Sequence, residues 1–269
     1  MDALKLPEVQ VSSLPTRSSH KAVEVDNDYG TLNLLFSYYV PHIPSGTNAH
    51  LATILKEFQS WNAWELAVAE DQVQIQIGQG NLPRDDSVES RVRRNNYRAK
   101  VVAFLRDDRE SSWLLFEASS QENASLSGNT DEVSSAIHRL FHDHYAGKQG
   151  SGQSAALINI ISNSVALEPS MTNNYYQTIV YFDYDQERKM IQPRIEVASV
   201  TVTETEQKSD GPPAALNINI GFQDYVYKLK TDQWSDYGSS VPDMIKAGEG
   251  ILREMALNFF HPPQATPRA

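Results

Sequence analysis

Residues 97–118 read YRAKVVAFLRDDRESSWLLFEA. Two apolar runs, Val101–Val102–Phe104–Leu105 and Trp113–Leu114–Leu115–Phe116, flank the charged stretch Arg106–Ser111. A short apolar run, a charged turn and a second short run predict a β-hairpin, with strands over 97–105 and 112–118. Both runs are apolar at odd and even positions, so both faces need cover, and such strands belong at the centre of a sheet.

Working outward, residues 176–185 and 189–204 predict a second hairpin around Asp185–Arg188. Residues 31–40 predict a strand with Leu32, Leu34, Phe36, Tyr38 and Val40 on one face. Leu216, Ile218, Ile220 and Phe222 alternate with polar or small neighbours, and the alternation resumes out of phase at Tyr225, Tyr227 and Leu229. That shift predicts a bulge near Gln223–Asp224. Val73, Ile75 and Ile77 alternate with Gln72, Gln74 and Gln76, which predicts a further strand.

Three segments carry helical spacing. Ile54, Leu55, Phe58, Trp61, Trp64 and Val68 define one, with Thr47 or Asn48 as its cap. A second runs from Asp131 to about Ala146, with Thr130 as cap and Gly147 as stop. The last begins after Ser240, with Asp243 completing a capping box, and buries Met244, Ile245, Gly248, Ile251, Leu252, Met255 and Phe259 until Pro262 and Pro263. Gly248 on the inner side implies close approach of another backbone. Residues 155–167, apolar and small, fit helix or strand. The expected fold is α+β, a mostly antiparallel sheet of about seven to nine strands covered by three or four helices. Residues 1–30 form an extended arm and 31–262 a single domain, with a loose likeness between 31–147 and 175–262.

Composition bounds the function. The net charge of −11 disfavours nucleic acid, whose phosphates need surplus Lys and Arg. The absence of cysteine rules out disulfides, thiolate nucleophiles and Cys metal sites. No segment approaches the roughly 20 apolar residues of a membrane-spanning helix, and the start of the chain lacks the apolar run of a cleavable signal peptide. The expected setting is the cytoplasm, or export without such a signal.

Four features carry candidate chemistry. His138 and His142, at i and i+4, have the spacing for a shared metal ion. On a wheel with Val133 at zero, His144 falls at about 20° among the apolar residues, and His138 and His142 at about 140° and 180°, towards water. One ion therefore cannot take all three. Arg91, Arg93, Arg94 and Arg98 form a basic cluster for an anion or an acidic partner, closely flanked by acids. Trp61 and Trp64 mark a candidate ligand pocket. The segments 195–204 and 214–223 form an amphipathic pair with the length of membrane-inserting strands.

No phosphate-binding loop, nucleophile elbow, zinc-protease motif or dinucleotide fingerprint is present, and no cofactor is implied. The leading expectation is a non-enzymatic protein acting through contact with a partner protein, with itself, or with a membrane or lipid, toxin-like or virulence-effector-like roles included. The alternatives are a metal-dependent hydrolase centred on the His138/His142 face and a small-ligand or lipid carrier.

Overall fold

The longest element of the molecule is a helix wrapped on almost every side. In the computed structural model, which describes residues 6–9, 33–40, 43–107, 113–146, 173–205 and 216–260, helix α1 spans Asn48–Gly78. From Trp61 to Val73 every residue is buried, including Asn62, Glu65, Glu70, Asp71 and Gln72. A helix buried all round has no single apolar stripe.

In chain order the elements are β1 (Leu34–Val40), a 3-10 turn (Ser45–Thr47), α1, α2 (Val88–Asp107), β2 (Leu114–Gly128), α3 (Thr130–Ala146), β3 (Asn173–Asp185), β4 (Met190–Thr205), β5 (Leu216–Leu229), α4 (Thr231–Ser239), α5 (Pro242–Met255) and β6 (Ala256–Phe260). The strands form one sheet in the order β2-β5-β4-β3-β1, with the short β6 added beside β1. β6 runs parallel to β1, Phe36 opposite Ala256 and Val40 opposite Phe260. β3 and β4, neighbours joined by the four-residue turn 186–189, can only be antiparallel. The fold is α+β, but among the described residues five strands and a short sixth in a mixed sheet, with five α-helices, replace the expected antiparallel sheet of about seven to nine strands.

Three local corrections account for the difference. Residues 97–105 are helical, within α2, because the period there is carried by polar side chains. Arg94, Arg98, Val101, Val102, Leu105 and Arg106 are buried at three- and four-residue spacing. Residues 73–77 continue α1 to Gly78, since no turn residue separates them from the helix; Val73 and Gln76 face inward while Ile75 is 36% exposed. β2 is an edge strand rather than a central one, with Leu115 and Phe116 about half exposed. The strands buried on both faces are β1 (Leu34, Leu35, Phe36, Ser37) and the middles of β3 (Ile179 to Phe182) and β4 (Ile195 to Ala198).

The expected caps also moved. The Thr47 hydroxyl donates to the Pro44 carbonyl and does not cap α1. At α3 the cap is Asn129. Its Oδ1 accepts from the Glu132 backbone N–H, while the Glu132 carboxylate accepts from the Asn129 N–H. The Ser240–Asp243 box does not form: Ser240 donates to the Tyr237 carbonyl and Pro242 opens α5. That helix ends at Met255, so Phe259 lies in β6. Residues 147–172 and 206–215 lie outside the described residues, and with them Gly147 and the segment 155–167.

The chain divides into two units, one of residues 119–176 and 198–224, the other of 2–118, 177–197 and 225–269. In the larger unit α1 lies along α2 and α5, and both of these touch β1. Gly248 of α5 is where α1 comes closest. A Cβ there would sit 1.7 Å from the Ala63 carbonyl oxygen, so only glycine fits. Residues 6–9 of the same unit reach α2, where Lys100 Nζ donates to the Pro7 carbonyl and Tyr97 OH to that of Glu8.

In the smaller unit, Ala198, Val200 and Val202 of β4 and Ile218, Ile220 and Phe222 of β5 are buried. Phe141 of α3 meets Phe222 edge-on at 5.1 Å, with Val133 and Ile137 buried on the same helix face. The alternate positions, Thr201, Asn219 and Gln223, are exposed. The buried parity of β5 changes after Asp224, with Tyr227 and Leu229 inward, which is the predicted phase shift.

Candidate functional site

Strand alternation in the smaller unit puts apolar side chains under α3 and polar ones on the open face. The last turn of α3 then delivers His144 to the sheet. Its imidazole stacks on the Phe222 ring, centroids 4.1 Å apart, with its side chain only 5% exposed. Nδ1 lies 2.8 Å from Glu122 Oε2 of β2 and Nε2 lies 2.9 Å from Asp224 Oδ2 of β5. Ser120 Oγ donates to the same Asp224 oxygen at 3.3 Å.

Two carboxylates opposite two ring nitrogens require two N–H donors, so the geometry matches the imidazolium. A general base needs a ring nitrogen open to substrate, and neither is open here. Ser120 reaches Asp224 rather than the imidazole, so no nucleophile–base pair forms. His144 pins α3 across β2 and β5.

The other exposed feature is β2 itself. It is 15 residues long and terminal in the strand order. Every residue from Leu115 to Asn123 is exposed, Phe116 at 55%. Folded proteins blunt such edges with Lys, Pro or bulges. Residues 114–128 contain no Lys, Arg or Pro, and their two carboxylates are engaged within the chain, Glu117 with Lys228 and Glu122 with His144.

The sequence-derived candidates fall elsewhere. His138 is half-buried on α3; His142 is exposed, its Nδ1 3.5 Å from the adjacent Asp143 carboxylate. Among the described residues no three metal-ligating side chains converge. Arg91 and Arg93 are half-buried on α2. Arg94 is buried and donates to the Pro83 and Asp85 carbonyls, and Arg98 to Glu70 at 2.7 Å. Trp61 is enclosed, with the Arg106 guanidinium 5.0 Å from its ring centre. Trp64 sits in a cluster with Trp113, Trp234 and Tyr237, at 5.5, 5.9 and 5.6 Å. These rings fill their own space.

Sequence reasoning missed two polar networks. One is the His144 clamp, whose signal was an imidazole on the apolar side of the wheel. Its partners lie 22 and 80 residues away. The other is buried in the larger unit. Arg106 donates to both Glu65 oxygens, at 2.8 and 2.6 Å, and to Thr178; Asn62 donates to Glu65 and accepts from Tyr38. Burial raises the Glu65 carboxyl above its ordinary range, against the pull of Arg106, and raises the Tyr38 phenol well above its own. This network ties α1 to α2, and its Arg106 and Glu65 side chains are about 1% exposed. Its sequence signal was three carboxylates, Glu65, Glu70 and Asp71, among the aromatic and aliphatic residues of the Trp61–Val73 run.

No protein-family model matches the chain, and no curated protein matches it. A solved structure described as "Structure of the Evf virulence factor" aligns with 87% of this chain and 90% of its own, at 11% identity and a TM-score of 0.44. Likeness at that level says nothing of activity.

Proposed function

We propose that the protein works by contact rather than catalysis, and that its first contact is with a second copy of itself along β2. The observation that carries this reading is the long, exposed, unblunted edge of β2. The occupant follows from the sequence of the strand. In antiparallel pairing of two copies centred on Gln121, Phe116 stands opposite Leu126 and Ala118 opposite Ala124. Glu117 then faces Ser125 and Glu122 faces Ser120, so no like charges meet. A two-fold contact needs such a self-complementary strand, and main-chain hydrogen bonds supply the rest.

Light scattering over a concentration series tests this. The wild type should pass from monomer to dimer. The Ala118→Lys/Ala124→Lys double variant, which sets Lys opposite Lys twice, should remain monomeric with an unchanged circular dichroism spectrum. Mixing the Ala118→Lys/Ala124→Lys variant with an Ala118→Glu/Ala124→Glu variant, each monomeric alone, should restore a dimer. A wild type that stays monomeric, or a double variant that dimerises as well as the wild type, removes the reading.

A further inference from the structure

The open face of the smaller unit carries a shallow cleft of about 390 Å³, within the range of small-molecule sites. It exists because Gly221 interrupts the outward row Asn219–Gly221–Gln223 of β5. A Cβ on Gly221 would come within 3.1 Å of Asn123 Oδ1, so the dent is floored by glycine and walled by the Asn123 amide. Around it stand Gln121, Ser199, Thr201 and Thr203.

In a chain with 21% charged residues, no lining residue carries a charge. A phosphate, a carboxylate or a metal ion would find no opposite charge there to offset its desolvation. Amides and hydroxyls each donate and accept, which is the complement of a ligand made of neutral hydroxyl groups. Part of the row is held in place internally. Ser125 donates to Asn219 Oδ1 at 2.7 Å and Thr201 to Asn174 Oδ1 at 3.0 Å, which leaves the Asn219 Nδ2 without a protein acceptor among the described residues.

We propose that this cleft binds a neutral polyhydroxylated ligand, a glycan segment, through the amide and hydroxyl side chains of β2, β4 and β5. The inference goes beyond self-association and does not depend on it. The described residues that line the cleft offer no exposed aromatic ring, so the affinity is low, and two copies presenting the same face would add avidity.

Saturation-transfer NMR on the full chain tests it, with maltohexaose, cellohexaose, laminarihexaose and chitohexaose as probes. At least one probe should receive saturation, equally at low and high salt, because no ion pair contributes. Gly221→Val, which fills the dent, should abolish the transfer. Asn123→Ala, at an exposed position, should weaken binding roughly two- to tenfold, the worth of one neutral hydrogen bond. No transfer to any probe overturns the proposal, and so does transfer that neither substitution changes.

Discussion

Arg106 and Glu65 show how one side chain can decide whether another is tolerable. Both are about 1% exposed at their side chains, so removing Arg106 leaves a carboxylate with neither water nor a cation. Arg106→Met should cost about 3–5 kcal/mol, and Glu65→Leu with Arg106→Met should recover most of it, because a well-packed apolar pair avoids the desolvation. The pH dependence has a definite sign. Burial already raises Glu65 above its ordinary value of 4.5, and loss of Arg106 raises it further. Stability of Arg106→Met should therefore be highest below about pH 4.5 and fall as pH rises through the elevated folded value; urea titrations at a series of pH values read it out. At the other network, His144→Gln removes a charged donor from Asp224, whose side chain is 5% exposed. A loss of about 1–3 kcal/mol is expected in the same titrations.

At the scale of elements, glycine separates two predictions within one helix. Gly248→Ala drives a methyl into the Ala63 carbonyl and should destabilise by about 1–3 kcal/mol. Gly250, with open space around its missing Cβ, should gain roughly 0.5–1 kcal/mol as alanine. Thermal unfolding of the two variants should move in opposite directions. Gly248 was legible in the sequence as a close approach, and so was the β3–β4 hairpin, whose turn is set by Asp185 accepting from the Glu187 and Arg188 backbone N–H groups. The α3 face was legible too, through Val133, Ile137 and Phe141. α2 was not, because its inward side is built of Arg94, Asn95, Arg98 and Arg106, which an apolar count reads as surface. α1 beyond Asp71 was not, because its Gln/Ile alternation imitates a strand while the inward positions Val73 and Gln76 keep helical spacing. The exposure of Leu115 and Phe116 depends on where the chain places β2 in the sheet, which neither residue encodes locally.

For the whole molecule, the strands expected at the centre of the sheet proved to be a helix and an edge. The His144 partners and the neutral face come from strands far apart in sequence, so neither was visible before the sheet order was known. His138 and His142 converge with no third ligand among the described residues. Protein purified without a polyhistidine tag is expected to carry no stoichiometric zinc by elemental analysis. The most direct test of contact through β2 is amide hydrogen exchange of residues 114–128 in dilute and in concentrated protein. Exchange in this strand should slow as concentration rises, in step with a doubling of mass, while β1 and α1 stay unchanged. Equal exchange at both concentrations, with the mass of a single chain throughout, would contradict the account.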